Sequence, residues 1–549
     1  MTTQLTPVSR EAYLVKKNPF RDARASLRHM SCLATALLLL ALSPGLGVVF
    51  ASSSTLADRV IEHKLANGLT VLMVERHQTP VVSINMTFGV GGVNEQVGQT
   101  GLAHLYEHMA FKGTRTIGTK DYAKEKPILD ELHLVGTELE QRQRELTKRG
   151  PTLPITASEQ AEVDALQTRF TTLQEQALQY VAGNEMALLY QRHGGVGLNA
   201  ATGKDLTRYM INLPANRLPL WAAIESDRMA NPVLREFYKE RGVVMEERRL
   251  RNDDSPTGLL FETFTSAAYR AHPYGIPTIG WESDILSLTP AATEAFFKTY
   301  YGPGRATIGI VGDINPKEVI ALIERTFGQI PAAPPPPQVV TAEPPQRGER
   351  RVEVEFDAEP SIAIGFHKPG IGHPDDYVFD VIDEILTDGL TSRLYSKLVR
   401  EGRLAASVNS DSNYPGVRSP NLFVVHATPL APHTTAEVET AILVELERLK
   451  TEPVTAKELE RVLNNLDADM VRALRSNSGL ASQLALYQTV AGDWRYLLRA
   501  RDRIAAVTPA DIQRVATEYF TKSNRTVATL IKKPSEKQVA TTISGEVAR

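Results

Sequence analysis

The chain has 549 residues, of which 42% are hydrophobic and 23% are charged, and its net charge at pH 7 is −3. This length exceeds one compact domain, so two to four domains are expected, and the composition is that of an ordinary globular protein. A net charge so close to zero gives no sign of a nucleic-acid partner, and none is expected.

Residues 33–50 carry no charge and follow Arg21, Arg24 and Arg28. A basic region, an apolar region and then Ala51 are typical of a signal peptide that is cleaved after Ala51. Residues 1–51 are therefore predicted to be a signal peptide, and the protein to be periplasmic or secreted. The alternative is an uncleaved inner-membrane anchor, because the apolar run is almost long enough to span a bilayer.

The first elements of the remaining chain are strands and a helix. Residues 60–74 predict a β-hairpin around an Asn-Gly turn, and residues 81–90 alternate like another strand. The apolar run at 102–112 predicts a helix. Residues 121–190 are rich in Glu, Gln, Leu and Lys with helical periodicity, which predicts a long helical-hairpin insertion broken at 150–154. Its role is open between a gate, a dimer contact and a solvated face with no specific function.

The later elements alternate helices with strands up to a proline-rich stretch. Residues 331–346 contain seven prolines and predict a stiff linker, the clearest domain boundary in the chain. The elements predicted before it are a strand at 194–200, helices at 218–229, 234–251 and 290–301, and a strand at 306–311.

The second part of the chain repeats the first. Residues 289–308 align without a gap on residues 508–527, and residues 103–113 align on residues 379–389. In the second alignment, three polar residues face three acidic ones: His104, Glu107 and His108 against Asp380, Asp383 and Glu384. The repeat predicts an α+β protein of two homologous halves, each a mostly antiparallel sheet packed with helices. The predicted boundaries are 52–330 for a catalytic N-terminal half, 331–346 for the linker, 347–535 for a degenerate C-terminal half and 536–549 for a tail.

His104, Glu107 and His108 form the pattern His-x-x-Glu-His. On a helix, positions i and i+4 lie one turn apart on one face, so both imidazoles can reach one ion with Glu107 beside it. This arrangement is typical of zinc hydrolases. The alternative is two histidines paired with an acid on an exposed helix. The apolar flanks instead predict a buried helix, where histidines need polar partners or a metal.

A third ligand must come from His, Asp or Glu, because the only cysteine, Cys32, lies in the predicted signal peptide. The helical stretch 240–248 is the richest acidic candidate. Glu240 and Glu247 are two turns apart and share a face, whereas Glu246 points about 100° away from Glu247. One carboxylate could bind the ion while the other orients an imidazole. Taken alone, this stretch fits an ordinary charged surface helix better.

The stretch from His104 to Thr114 resembles the inverted zinc motif of the pitrilysin/insulysin metallopeptidase family, in the branch of the mitochondrial processing peptidase and its bacterial relatives. Residues 194–200 resemble the edge strand of that family, and residues 240–247 resemble the segment that supplies its third ligand. The resemblance covers nearly all of the chain after the predicted signal peptide.

The resemblance implies that His104, His108 and Glu247 bind one Zn²⁺ per chain and that Glu107 is the general base. Glu240 matches an acid that supports the ligands from behind. The implied substrate is a peptide or an unfolded protein segment, and the implied assembly is a homodimer or a heterodimer with a related subunit. The two halves are expected to face each other across a chamber.

The resemblance also implies substrate contacts, and it has two departures. The peptide is expected to bind as an added strand at Asn199 and Ala200, and to contact Arg400. Glu247 follows His108 by 139 residues, a longer spacing than usual that the insertion explains. Ala406 stands where the family has a tyrosine, and Tyr414 is the nearest substitute. This gap leaves open the alternative of a catalytically weak peptide-binding subunit.

Overall fold

The computed structural model describes residues 55–149 and 153–533. The chain divides between Arg59 and Val60 into two units, and the described part of the first contains the short helix α1 (Leu56–Arg59). The predicted signal peptide, its cleavage point and the tail 536–549 lie outside the described residues. Within the described ranges, no helix has the length and apolar character needed to cross a membrane.

The first half is built on a six-stranded sheet. Its strands are β1 (Ile61–Lys64), β2 (Thr70–Glu75), β3 (Val81–Phe88), β4 (Val196–Thr202), β5 (Thr207–Pro214) and β6 (Ala306–Gly312). They are ordered β1-β2-β6-β3-β5-β4; β2 and β6 are parallel and all other neighbours are antiparallel. The hairpin predicted at 60–74 is confirmed. Gly68 in its turn has a φ of 93°, which glycine adopts without a steric penalty.

Ten helices surround this sheet and extend from it in the described part of the first half. They are α2 (Leu102–Met109), α3 (Tyr122–Lys148), α4 (Ala157–Leu178), α5 (Glu185–Arg192), α6 (Leu218–Ala230), α7 (Phe237–Arg248), α8 (Pro256–Ala268), α9 (Glu282–Ser287), α10 (Pro290–Tyr300) and α11 (Pro316–Arg325). Alternate residues of β3, such as Ile84 and Met86, pack with Leu105 and Met109 of α2 in one buried core. The core therefore fixes α2 on one face of the sheet.

The second half has a five-stranded sheet and six helices in its described part. Residues 331–346 before it contain no helix or strand. The strands are β7 (Arg350–Phe356), β8 (Ser361–Lys368), β9 (Ala405–Tyr414), β10 (Asn421–Pro429) and β11 (Arg525–Lys532), ordered β7-β11-β8-β10-β9. The helices are α12 (Pro374–Thr387), α13 (Thr435–Thr451), α14 (Ala456–Arg475), α15 (Asn477–Ala491), α16 (Tyr496–Ala505) and α17 (Pro509–Tyr519).

The two sheets have the same topology, which confirms the predicted repeat. Strands β2-β6-β3-β5-β4 match β7-β11-β8-β10-β9, and in each set the first pair is parallel and the others are antiparallel. The aligned Thr-Pro segments start equivalent helices. Thr289 caps α10 by accepting from the Ala292 amide, and Thr508 caps α17 by accepting from the Asp511 amide.

The two halves exchange equivalent helices. Helix α8 of the first half packs on β7 and β11, while α15 of the second half packs on β3 and β6. At Gly309 of β6, the backbone of Ala481 leaves no room for a Cβ atom. Each sheet is therefore covered in part by a helix from the other half, and the expected chamber between the halves stays a prediction.

The insertion is a helical hairpin, as predicted. Helices α3 and α4 pack on each other through Leu129, Leu132 and Leu173. The buried Arg235 of the body holds the start of α3 through Glu125, with Nε 2.7 Å from Oε1. A Cβ at Gly136 would collide with the Tyr238 hydroxyl, so glycine allows α3 to lie close to α7. The hairpin therefore supports α7 from the side.

Candidate metal centre

Helix α2 carries the His-x-x-Glu-His pattern and is held at its N-terminus by a buried carboxylate. Glu95 accepts hydrogen bonds from the backbone amides of Gly101 (2.8 Å) and Ala103 (2.7 Å). Amides in the first turn lack partners within the helix, and the carboxyl oxygens of Glu95 supply partners for two of them. Burial raises the pKa of Glu95 to about 8, although both hydrogen bonds oppose the shift. Glu95 therefore fixes the start of α2.

His104, His108 and Glu247 come together between α2 and α7. Nε2 of His104 is 3.7 Å from Glu247 Oε1, and Nε2 of His108 is 3.3 Å from Glu247 Oε2. Each residue offers one ligand atom, and the three atoms lie within 4.8 Å of one another. Among residues 55–149 and 153–533, no other group of His, Cys, Asp or Glu side chains converges in this way.

Helix α7 presents Glu240 and Glu247 to the same side. Glu240 Oε2 lies 3.6 Å from Nδ1 of His108, and Glu240 Oε1 is 2.6 Å from Nζ of Lys112. Glu246 is exposed and pairs with Arg249 instead. The structure therefore places Glu240 behind an imidazole and Glu247 in front of both, while Lys112 holds the Glu240 carboxylate.

The surroundings of the two histidines shift their pKa values in opposite directions. Burial lowers the pKa of His104 to about 4, so this imidazole is neutral. Burial also disfavours a charged His108, but the carboxylates of Glu240 and Glu247 outweigh it and raise the pKa of His108 to about 9. Burial raises the pKa of Glu247, yet His108, His104 and Arg251 lower it to about 2. A metal ion would take the place of the His108 proton.

The residues present fit a zinc ion. Two imidazole nitrogens and one carboxylate are the ligand set of a catalytic site that leaves one position open. Nδ1 of His104 is buried and forms no hydrogen bond, so no protein group on that side of the ring holds it away from an ion.

Glu107 lies beside the cluster and is joined to the edge strand. Thr202 Oγ1, at the end of β4, donates a hydrogen bond to Glu107 Oε2 at 2.5 Å. Burial raises the pKa of Glu107, although the Thr202 hydrogen bond opposes this shift. A carboxylate with a raised pKa is suited to accept a proton near neutral pH. The sequence alone did not identify Thr202 as a site residue. Its position two residues after Ala200 was the available signal, because residues two apart on a strand lie on the same face.

Arg251 is a second residue that the sequence did not reveal. Its Nη1 atom is 2.5 Å from Glu247 Oε1, one turn along the chain. The i, i+4 spacing of Glu247 and Arg251 is a signal for such a pair on a helix. Arg251 therefore competes for a carboxylate oxygen that the cluster uses.

Asn199 and Ala200 lie on β4, which pairs only with β5 and forms an edge of the first sheet. An edge strand offers unpaired amides and carbonyls to an added strand. Because β4 also carries Thr202, such a strand would run past Glu107.

Arg400 lies in the second half, away from these contacts. Its Nη1 atom donates to the carbonyl of Leu390 (3.1 Å), and its Nη2 pairs with Glu401 (2.9 Å). Ala406 is exposed near the start of β9. The hydroxyl of Tyr414 is 3.0 Å from Thr265 Oγ1 in an aromatic contact between the halves. These contacts of Arg400 and Tyr414 are with residues outside the cluster of metal-ligand candidates.

Two family models match the chain. Residues 70–137 match the insulinase model of peptidase family M16, and residues 287–466 match the model described as the peptidase M16 inactive domain. The first match contains the His-x-x-Glu-His pattern. The second covers much of the half in which acidic residues replace the histidines.

Similar proteins and structures agree with these matches. The zinc protease PqqE of Helicobacter pylori is 29% identical over 90% of this chain and 98% of its own. An uncharacterized zinc protease of Mycobacterium tuberculosis is 25% identical over 83% and 90%. A solved protease structure from H. pylori has a TM-score of 0.71 at 28% identity, covering 86% of this chain and 99% of that one. The periplasmic protease PqqL of Escherichia coli has a TM-score of 0.63 at 17% identity, covering 89% of this chain and 50% of its own.

Proposed function

Because the chain belongs to the M16 peptidase family, we propose that it is a zinc-dependent metalloendopeptidase that hydrolyses peptides or unfolded polypeptide segments. The observation that carries this proposal is the convergence of His104, His108 and Glu247 within 4.8 Å, next to Glu107. The relatives named as zinc proteases support it. One Zn²⁺ is expected per chain.

The chain's own residues supply the binding and proton-transfer steps. His104, His108 and Glu247 hold the ion, and Glu240 orients His108. When bound, zinc lowers the pKa of its water towards about 7 and polarises the peptide carbonyl. Glu107 accepts a proton from the attacking water and then donates a proton to the leaving amine. Thr202 holds the Glu107 carboxylate in place through its hydrogen bond.

The peptide is proposed to bind in an extended form on the free edge of β4, with its backbone paired to residues around Asn199 and Ala200. This mode reads the backbone more than the side chains, so it favours broad specificity. Arg400 contributes to this site only if the second half, or a second chain, brings it nearer to the peptide.

The second candidate function is a catalytically weak peptide-binding subunit. Ala406 favours it, because a tyrosine donor to the carbonyl oxygen is absent and such a donor contributes about 10²-fold or more. The match to an inactive-domain model does not favour it, since that match covers residues 287–466 and leaves α2 and α7 outside.

Cleavage of a quenched fluorescent peptide by the purified chain tests the proposal. Glu107→Gln should bind zinc in a one-to-one ratio, measured by elemental analysis, but lower kcat by roughly 10²–10⁴-fold. His108→Gln should lose both zinc and activity. Chelator should abolish cleavage by the native chain, and added zinc should restore it.

Equal cleavage by the Glu107→Gln variant would overturn the enzyme proposal. A zinc-loaded native chain that binds the peptide without cleaving it would support the binding-subunit candidate.

The cellular site and the assembly are also proposals. The signal-peptide pattern supports a periplasmic or secreted protein, and N-terminal sequencing of the mature chain separates cleavage after Ala51 from an anchored form. The match covers 50% of the PqqL chain, so PqqL has about twice the length of the matched part. We therefore propose that two chains of this protein pair with each other. Light scattering on the purified protein measures this directly.

A further inference from the structure

Arg208 is a half-buried cation on the first sheet. Its Nε atom is buried and has no hydrogen-bond partner. No ion pair joins its guanidinium to a carboxylate among residues 55–149 and 153–533. Burial lowers the pKa of Arg208, and Glu107 is the one charge that opposes the shift. A cation that is partly removed from water and has no paired carboxylate can be stabilised by an acidic ligand.

The pairing register shows where Arg208 lies on the sheet. Arg208 on β5 is directly opposite Thr87 on β3 and Ala201 on β4. Residues opposite each other in a sheet share a face, and successive residues alternate. The next residue, Tyr209, is buried in the core that contains α2. Arg208 and Ala201 therefore lie on the face that points away from α2.

This face is covered unevenly by the second half. Helix α15 packs on β6, β3 and β2, which are the inner strands. Strands β5 and β4 lie beyond these three, at the free edge of the sheet. Ala201 is half-buried and carries only a methyl group, so little side chain separates Arg208 from a strand added beyond β4.

A peptide strand on this edge would alternate between two environments. Its residue opposite Thr202 would face Glu107, because Thr202 donates to that carboxylate. Its residue opposite Ala201 would face the other way, in one row with Ala201 and Arg208. A long acidic side chain in this position can extend over the Ala201 methyl group towards the guanidinium.

We propose that Arg208 forms a subsite for an acidic side chain of the peptide, at the position that pairs with Ala201. The inference rests on the proposed function, since it takes the peptide to bind on the edge of β4. A glutamate in this position supplies the missing counter-ion through a charge-assisted hydrogen bond. The subsite adds a preference for an acidic side chain to a binding mode that otherwise depends on main-chain hydrogen bonds.

A glutamate/glutamine scan of one quenched peptide tests the subsite. The two side chains have nearly the same shape, so the ratio of their kcat/KM values isolates the charge. In the native chain one position should prefer Glu by about ten- to a hundredfold. Arg208→Gln should bring this ratio to about one, and Arg208→Lys should keep part of it. Arg217→Gln, an exposed arginine after β5, is the matched control and should keep the full ratio.

The absence of a glutamate preference at every position, or its survival in Arg208→Gln, would overturn the subsite. A binding measurement separates this outcome from failure of the endopeptidase proposal. Fluorescence anisotropy of the labelled Glu and Gln peptides is measured with Glu107→Gln and with the Glu107→Gln/Arg208→Gln double variant. Tighter binding of the Glu peptide, lost in the double variant, supports the subsite even if the native chain cleaves nothing. Equal or undetectable binding of both peptides by Glu107→Gln overturns it.

Discussion

The two halves of the molecule have one topology but different chemistry on an equivalent helix. Helix α2 in the first half and α12 in the second present matched residues to their edge strands: His104, Glu107 and His108 against Asp380, Asp383 and Glu384. One contact is kept in both halves. Thr202 of β4 donates to Glu107, and Ser410 of β9 donates to Asp383. The hydrogen bond from the edge strand to the helix is therefore common to both halves. The imidazoles occur only in the half that contains the candidate metal centre.

The second half shows what the helix becomes without the histidines. Ser412 donates to Asp380 at 2.7 Å, so the carboxylate that replaces His104 is held by the edge strand. Burial raises the pKa of Glu384 to about 9, and Asp388 and Asp383 add to the shift. In the described part of this half, no group of side chains converges as His104, His108 and Glu247 do. The fold tolerates either set, so three side chains can be changed without removing the helix.

The largest expected effect follows from giving the first half the residues of the second. The double variant His104→Asp/His108→Glu should lower zinc affinity by roughly three orders of magnitude or more, because both nitrogen ligands are lost. Peptide cleavage should disappear with the metal. Circular dichroism should show a folded protein, since α12 carries these residues in the same setting. Zinc content is measured after equilibrium dialysis.

Asp380→Asn/Glu384→Gln in the second half is the matched control, and it should leave zinc content unchanged. Zinc binding that survives in His104→Asp/His108→Glu would contradict the assignment of α2 as the source of the ligands.

The sequence predicted the parts of this comparison that depend on local spacing. The i, i+4 histidines, the hairpin at 60–74 and the repeated Thr-Pro helices all follow from periodicity and turn chemistry. The approach of α7 to α2 across the insertion required a family resemblance, because spacing along the chain does not show which helices pack together. The exchange of α8 and α15 and the Thr202–Glu107 hydrogen bond were missed for the same reason.

Removing the hydroxyl hydrogen bond that both halves share should have a smaller effect on catalysis, and only in the first half. Thr202→Val removes the hydrogen bond to Glu107 while keeping the shape of the side chain. We expect kcat to fall about tenfold, because the general base loses its orientation, and KM to change little. Thr202→Ser keeps the hydroxyl and should keep most of the activity. Steady-state kinetics on one quenched peptide measures all three proteins.

Ser410→Ala removes the equivalent hydrogen bond in the second half. It should leave kcat unchanged, since among the described residues Asp383 belongs to no converging group of metal-ligand candidates. A fall in kcat as large as that of Thr202→Val would mean that both contacts act through the stability of the fold.

The smallest effect concerns the crowded carboxylates of α12 and appears as a pH dependence of stability. The pKa of Glu384 is about 9 in the folded protein and near its ordinary value of 4.5 when unfolded. The folded state therefore binds a proton more tightly, so this stabilisation is complete below pH 4.5 and is lost as pH rises towards 9. Glu384→Gln cannot ionise, so it should be more stable than the native chain at pH 9, with little difference at pH 5. Urea unfolding at both pH values measures this difference in stability, with the exposed Glu460→Gln on α14 as the matched control.

An equal loss of stability between pH 5 and pH 9 in the native chain and in Glu384→Gln would show that ionisation of Glu384 does not cause the loss. A loss confined to the native chain would show that the crowded carboxylates of α12 carry this electrostatic cost.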